Sequence, residues 1–338
     1  MKKKLNLTGA RKKCDKILAN IEKDILRHYK KAEFELTKKW EEYLNQANKE
    51  IEDKWQAFQE ALRSGDKELI KKTGKEHQKA VKDKTVNNQH FKEMVDEVTT
   101  QMAHVNETAL SYINGEVPRL YQISYNAVGK ATSDVVMGYS FSLMDAQTTK
   151  NLLAGNKDYM KYFKQMDITK DKRWNKKLIH SQMTQGILQG ESIPDLAKRL
   201  QNVTNMNKNQ AVRNARTMTT SIENRGRQDG LEKVYEDGIV TEKEWIATGD
   251  HRTRQWHLDI DGQTVPHNKP FHNFEDIFFP GDPDASPKNV YNCRCAEGAV
   301  IIGFRNSDGT INRIESEKDL TMHTQQIEKE RKRRKNLR

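Results

Sequence analysis

Cysteine is scarce in this sequence: among 338 residues only Cys14, Cys293 and Cys295 occur. Three cysteines cannot form the paired framework that staples small secreted proteins, so we expect synthesis in a reducing compartment. Long apolar runs are also missing, and none approaches the roughly 18 residues that a membrane span needs. The basic start Met1–Leu7 is not followed by the apolar stretch of an export signal. We therefore expect a soluble protein with no membrane partner.

Charge is abundant where apolar residues are few, with 32% charged against 35% hydrophobic residues. This balance favours elongated helices with thin apolar stripes over one large core. The net charge of +11 favours a polyanionic partner, with nucleic acid first and an anionic membrane surface second, and we expect double-stranded DNA to be bound without sequence preference. The basic end of the chain is expected to be a flexible tail. Its candidate DNA-binding residues are Arg331, Lys332, Arg333, Arg334 and Lys335.

The first half of the chain has the apolar spacing of long helices. Between residues 15 and 62 apolar residues recur every three or four positions, which predicts one long helix of a coiled-coil-like hairpin that turns at Ser64–Asp66. A second helix is predicted from Phe91 to Tyr112, stopping at Gly115, with Pro118 opening another. Residues 138–167 are predicted to be a connector with short helices.

The second half changes from helices to short strands. Helices are predicted for residues 171–188, for a short stretch after Ser192 and for 210–235, with the Asn-rich residues 202–209 as a loop between the last two. Strands are predicted near 243–248 and 297–304, with a turn at Asp261–Gly262. The sequence therefore predicts an α+β protein: a mainly helical N-terminal region, a helical segment, and a small C-terminal α+β domain with short antiparallel strands. The predicted boundaries are 1–168, 169–305 and a basic tail, 306–338.

The last long helix carries a continuous polar stripe. Arg216, Thr220, Glu223, Asn224 and Arg227 share one helical face. One interpretation is a solvated charged face. The other is that the stripe docks against the arginine-rich loop after Asp250, with Glu223 as the counter-charge.

Two thiols and an imidazole suggest a metal site. In an extended Cys-x-Cys segment, Cys293 and Cys295 project to the same side, and with His257 they offer ligands that suit zinc. A fourth ligand would come from Asp250, His251, His267 or His272. The alternative is that both cysteines are small packing residues beside Asn292.

A hydrolase would use His257 as general base and Asp250 to orient it. It would also need a nucleophile or an activated water, and the sequence has no Gly-x-Ser-x-Gly, His-Glu-x-x-His or phosphate-binding glycine loop. A simpler role for Asp250, Arg252 and Arg254 is an ion-pair network that fixes their loop. The sequence therefore favours a protein that is not an enzyme.

Several short motifs recur in a fixed order between about residues 170 and 305. They are Arg216-Thr217, Asn224 with Arg227, Trp245, Asp250-His-Arg252-Thr-Arg254 with His257, Asp261-Gly262, Pro280-Gly-Asp-Pro283 and Asn292-Cys-Arg-Cys295. This order closely resembles the phage Mu F-like head morphogenesis family of tailed bacteriophages. The first 160 residues share with it only their helical, charged character.

The resemblance implies a minor head protein of the virion, assembled in the host cytoplasm. It implies association with the portal protein at the portal vertex, contact with packaged DNA and ejection with the genome as in some relatives; scaffold and major capsid proteins are further candidate partners. An appended ADP-ribosyltransferase or nuclease is not expected, because only a basic tail follows. The alternative function is a metal-dependent enzyme acting on nucleic acid or protein. The resemblance gives structural roles to Arg216, Glu223, Asn224, Arg227, Asp250, Arg252, Arg254 and Asn292, and no cofactor except the zinc considered above.

Overall fold

The computed structural model describes residues 2–84, 87–189, 191–306 and 308–315, and within them all side chains except those of residues 40, 44–50, 187, 188 and 193. The proposed DNA-binding residues 331–335 lie outside the described residues. The described part confirms the α+β fold class, with long helices first and short antiparallel strands in the C-terminal part. None of its helices has the apolar length that a membrane span requires.

The helices follow the predicted order closely. In the described residues they are α1 Thr8–Ser64, α2 Lys67–Lys84, α3 Gln89–Val135, α4 Ala146–Gly155, α5 Lys157–Met160, α6 Ile168–Leu188, α7 Ile193–Glu236, α8 Gln255–Leu258 and α9 Pro287–Val290. The turn between α1 and α2 is confirmed, and Gly65 supplies its positive φ of 71°. The connector with short helices is confirmed by α4 and α5.

Seven strands are found in the same residues: β1 Lys3–Lys4, β2 Ile239–Ile246, β3 Thr264–Pro266, β4 Phe271–His272, β5 Asp276–Ile277, β6 Ala296–Arg305 and β7 Ile311–Arg313. The main sheet is antiparallel in the order β1-β6-β2-β3, and β7 pairs with the end of β6. The predicted turn at Gly262 is confirmed by its φ of 75° and by its N–H, which donates to Trp245 O at 2.8 Å. This turn returns the chain to β3, which pairs with β2.

Two predicted breaks are wrong. Helix α3 runs through both Gly115 and Pro118. Ile113 and Val117 are both 1% exposed, so packing on either side of the glycine holds the helix together. Helix α7 likewise runs through the asparagine-rich residues 202–209.

The asparagines explain the second error. Asn207 donates from Nδ2 to Asn175 Oδ1 at 2.9 Å, and its Oδ1 accepts from Asn106 at 2.8 Å. Asparagine favours loops because its side chain competes for the local backbone. Here other helices supply the side-chain partners, so the asparagine is accommodated inside a helix.

The chain divides into two compact units built from separate segments. One unit comprises the described parts of Met1–Glu22, Ile113–Lys164 and Arg213–Arg338; the other comprises those of Lys23–Tyr112 and Gln165–Val212. The sequence-based boundaries at residues 168 and 305 instead divide the chain into consecutive segments. They remain a prediction about which segments have separate functions.

The second unit, from Lys23–Tyr112 and Gln165–Val212, has an all-helical core. Buried apolar residues include Leu36 and Ile51 of α1, Val98 of α3, Met183 of α6 and Leu200 of α7. The predicted apolar stripe of α1 is confirmed, because most of its described residues are buried. It is wrong at Leu62, which is 46% exposed.

Two apolar clusters in the described part of the first unit bear on the site. One packs Leu5 and Val128 with Leu231 of α7 and Ile301 of β6. The other surrounds Trp245 with Ile260, Phe271, Ile277, Cys293 and Cys295. The second cluster therefore brings the cysteines predicted as metal ligands into an apolar environment.

Candidate functional site

The polar stripe of α7 is buried, so the interpretation as a solvated face is wrong. Thr220, Glu223, Asn224 and Arg227 are all under 9% exposed. Arg216 is the outlying member, and its Nε donates to Glu22 Oε1 of α1 at 2.6 Å. The buried members of the stripe contact backbone groups rather than solvent.

Its partners are the segment Asn292–Glu297 and Pro280. Thr220 Oγ1 donates to Cys293 O at 2.6 Å. Asn224 Nδ2 donates to Pro280 O at 2.9 Å, while its Oδ1 accepts the Glu297 N–H at 2.8 Å. These side chains pair backbone groups that lack strand or helix partners, and a buried backbone group left unpaired is costly.

The predicted ion pair between Glu223 and the loop after Asp250 is wrong. Glu223 pairs with Arg227 on its own helix, not with an arginine of the loop after Asp250. Arg227 also donates from Nη1 to Glu297 O at 2.6 Å. Burial raises the pKa of Glu223, and the nearby guanidinium of Arg227 opposes that rise.

The loop after Asp250 is fixed by an ion pair with a distant partner. Both oxygens of Asp250 accept from the Arg294 guanidinium, with Oδ1 to Nη2 at 2.7 Å. The bidentate pair holds the pKa of Asp250 well below its usual range. Arg252 contributes only its backbone N–H to Asp250, and Arg254 donates instead to the carbonyl of Tyr291. The predicted ion pairs of Asp250 with Arg252 and Arg254 are therefore wrong, and Arg294 is the arginine that pairs with Asp250.

His257, Cys293 and Cys295 lie together. Their ligand atoms are all within 4.8 Å of one another, and the three residues are 1%, 1% and 4% exposed. His257 Nδ1 is 3.5 Å from Cys295 Sγ and 3.8 Å from Cys293 Sγ. One nitrogen and two sulfurs therefore form a compact group inside the apolar cluster around Trp245.

Local backbone features bring the three side chains together. His257 sits on the single turn of α8. Asn292 adopts a positive φ of 55°, a left-handed conformation that asparagine tolerates, and it turns the chain after α9 toward β6. Cys293 and Cys295, two residues apart in the extended approach to β6, then face the same side.

The two thiols influence each other. The contact with the Cys293 thiol, together with the contact with His257, lowers the pKa of Cys295 against the opposing effect of burial. The same contact with Cys295 and burial raise the pKa of Cys293. The two thiols therefore titrate as a pair and not as independent groups.

Asn289, which the sequence did not suggest as a site residue, orients the imidazole of His257. His257 Nε2 is 2.9 Å from Asn289 Oδ1, which also accepts from Trp256 Nε1 at 2.9 Å and Asn273 Nδ2 at 3.1 Å. Asn289 Nδ2 in turn donates to Glu275. Neither Asn289 nor Glu275 belongs to a recognisable motif, so only the three-dimensional arrangement identifies them.

None of the four predicted fourth ligands joins this group in the described structure. Asp250 is paired with Arg294. His267 packs against Tyr235 with ring centroids 4.2 Å apart, and His272 pairs with Asp276. His251 is exposed.

These residues fall within a segment that matches a known family. Residues 177–297 match the family described as Phage Mu protein F like protein. This segment is a phage Mu F-like domain. It contains the polar stripe, Asp250 and the His257, Cys293 and Cys295 group, so the resemblance seen in the motifs is confirmed. The match supports a bacteriophage head protein in general terms.

One curated relative is similar over part of the chain. The NAD(+)–arginine ADP-ribosyltransferase EFV of Enterococcus faecalis is 30% identical over 125 residues, which cover 35% of this chain and 24% of the relative. The chain thus spans about a quarter of that relative's length, too little to carry over its activity. No solved structure matches the chain significantly.

Proposed function

We propose that this chain is a minor head protein that associates with the portal vertex during procapsid assembly and contacts packaged DNA. The Mu F-like domain supports the head assignment. The net charge of +11 supports contact with a polyanion. In this proposal the protein acts as a structural component and not as an enzyme.

The alternative of a metal-dependent enzyme has less support from the geometry. A catalytic metal site keeps an open position that substrate can reach. His257, Cys293 and Cys295 are at most 4% exposed, so the cluster offers no such access. Burial of this kind favours a structural role.

The observation that carries the portal proposal is the set of exposed aromatic side chains on the Mu F-like domain. Phe274 and Phe278 are 51% and 45% exposed, although both lie in loops tied down by buried contacts. Trp256 packs edge-on against Phe274 with ring centroids 5.6 Å apart, and the backbone of Phe278 accepts from Lys243. Exposed aromatic residues on a fixed frame are typical anchors of protein interfaces.

The test uses the full-length chain and its cognate portal protein. We expect Phe274→Ser and Phe278→Ser each to weaken co-purification with the portal at least tenfold, which corresponds to about 1.4 kcal/mol. Phe34→Ser is the matched control, because Phe34 of α1 is 73% exposed yet lies outside the Mu F-like domain. Portal binding that survives both loop changes but is lost with Phe34→Ser would contradict the proposal.

A further inference from the structure

We propose that His257, Cys293 and Cys295 bind one zinc ion that acts as a structural centre of the Mu F-like domain, with His257 coordinating through Nδ1. This inference rests on the geometry of the cluster and does not depend on portal association. It also assigns Asn289 and Glu275 as the residues that position the imidazole.

The hydrogen bonds around His257 determine which ring nitrogen is available. Asn289 Oδ1 accepts from Trp256 and Asn273, while its amide nitrogen donates to the Glu275 carboxylate. The oxygen therefore faces His257, and the Nε2 atom beside it must carry the proton. Nδ1 then has a free lone pair, and that lone pair faces the two sulfurs. An outer hydrogen bond that fixes the tautomer in this way is a regular feature of metal-bound histidine.

The spacing of the ligand atoms fits a tetrahedral ion. With zinc–sulfur bonds near 2.3 Å and zinc–nitrogen bonds near 2.05 Å, a tetrahedral angle separates nitrogen from sulfur by about 3.5 Å. The observed distances from His257 Nδ1 are 3.5 Å to Cys295 Sγ and 3.8 Å to Cys293 Sγ. Both nitrogen–sulfur distances are therefore close to the tetrahedral value, and the two sulfurs lie within 4.8 Å of each other.

The charges and donor types also suit zinc. Two thiolates neutralise a divalent cation, so the ion can be buried without leaving net charge in an apolar cluster. Thiolate and imidazole are the usual ligands of structural zinc, whereas calcium and magnesium prefer oxygen. Among the described residues no other cysteine, histidine or acidic side chain joins the group. These three side chains are the protein ligands that the described part of the chain supplies.

The ion would join parts of the fold that the backbone ladder does not connect. His257 belongs to α8, and the two cysteines precede β6. Thr220 and Asn224 of α7 donate hydrogen bonds to the backbone carbonyls of these cysteines. Coordination thus ties the loop between β2 and β3 to the centre of the sheet. Loss of zinc is expected to loosen this part of the domain and lower its stability.

Metal analysis of the full-length chain, purified without chelator, tests the proposal. We expect close to one zinc ion per chain in the wild-type protein and in Cys14→Ala, the matched control at the remaining buried cysteine. Cys293→Ser and Cys295→Ser should lose the metal. Cobalt substituted for zinc should show the intense sulfur-to-metal charge-transfer absorption of thiolate ligation in the wild type and in Cys14→Ala, and not in Cys293→Ser or Cys295→Ser.

Two further measurements do not require the ligand variants to fold. Treating the wild-type chain with a thiol-blocking reagent should release its zinc. Asn289→Leu, which removes the hydrogen bond to His257, should weaken zinc binding by about 10- to 100-fold. A folded wild-type chain that lacks zinc and takes none up when it is added would overturn the proposal, as would unchanged zinc content in Cys293→Ser. In that event the cysteines are packing residues joined to His257 by sulfur hydrogen bonds.

Discussion

At the scale of single residues, Asn224 connects helix α7 to two other parts of the domain. It is fully buried, donates to Thr220 O, Pro280 O and Cys295 O, and accepts the N–H of Glu297. One amide thus serves its own helix, the Pro280 loop and the start of β6. Its role is to replace backbone pairing where the chain approaches the sheet.

Removing this amide should be costly. We expect Asn224→Ala to lower the free energy of unfolding by about 2–4 kcal/mol, because several buried backbone groups lose their partner at about 1–3 kcal/mol each before relaxation. Asn224→Asp should be at least as harmful, since a carboxylate oxygen would face the carbonyls of Pro280 and Cys295. Urea denaturation measures both changes. Asn151→Ala on the exposed face of α4 is the control, with an expected change within about 0.5 kcal/mol; equal effects at both positions would refute this role.

Sequence reasoning found most of the residue types in this site but few of their pairings. Cysteines two residues apart and one histidine suffice to suggest a cluster, and the three side chains do lie together. The partner of Asp250 was missed because Arg294 is 44 residues away, whereas Arg252 and Arg254 are adjacent in sequence. Pairings of this kind depend on the tertiary fold, which local spacing does not contain.

At the scale of elements, the close approach of α3 and α7 in the first unit depends on glycine. A Cβ added at Gly226 would lie 2.7 Å from the backbone oxygen of Tyr121, and one at Gly230 would lie 3.0 Å from Val128 Cβ. The absence of side chains at these points lets the two helices approach closely. Glycine here has a packing role that outweighs its poor helix propensity.

A pair of glycine substitutions separates packing from propensity. Gly226→Ala should destabilise the protein by about 1–3 kcal/mol, because the backbone of α3 must move. Gly115→Ala, also inside a helix but with nothing within 4 Å of the added Cβ, should stabilise by up to about 1 kcal/mol. Thermal or urea unfolding of the two variants measures both changes in stability. If Gly226→Ala is as stable as Gly115→Ala, the helices do not approach as described.

The hairpin of α1 and α2 contains a buried histidine that should make the protein sensitive to acid. His77 is 2% exposed, lies 5.0 Å from the Trp55 ring and stacks on Phe58. Burial lowers its pKa below the ordinary 6.5. Below pH 6.5 the unfolded chain therefore takes up a proton that the folded chain does not, and stability must fall as pH drops.

His77→Phe keeps an aromatic ring and removes the titrating group. We expect its free energy of unfolding to change less than that of the wild type when the pH is lowered through 6.5. Half-buried histidines whose pKa is also lowered, among them His28 and His180, should leave the variant with a smaller dependence of stability on pH. Parallel curves for the two proteins would show that His77 does not contribute.

Element type was easier to predict than element ends. The spacing of apolar residues identified the long helices, because each buries one face. It failed at Gly115 and at residues 202–209, where contacts with other helices outweigh local preference. It also missed β1 and β7, since strands of two or three residues at Lys3–Lys4 and Ile311–Arg313 have too little length to show an alternating pattern.

At the scale of the whole molecule, chain order and compact units differ. The first unit combines β1 and the second half of α3 with residues 213–297 of the Mu F-like segment, and Leu5 and Val128 are part of its core. A fragment that begins at residue 170 would lack these residues and leave apolar surface uncovered. The task of each region is therefore best tested by substitutions in the full-length chain.

DNA binding should depend on salt and on the basic tail. We expect the full chain to bind double-stranded DNA without sequence preference, with affinity falling steeply with salt as neutralised phosphates release counterions. Removing residues 331–338, which include six lysines and arginines, should reduce the log–log salt slope by up to about 5. A gel-shift series over salt concentration measures both slopes. Equal slopes with and without the tail would assign DNA contact to another surface.

Cross-linking mass spectrometry on procapsids of the phage that encodes this chain tests the proposed function most directly. We expect the chain among the procapsid proteins, with cross-links to the portal protein from lysines of the Mu F-like domain such as Lys269 and Lys288. Lys38 and Lys71 of the helical hairpin provide the comparison, since they lie outside that domain. Absence of the chain from procapsids, or portal cross-links from the hairpin alone, would contradict the proposal.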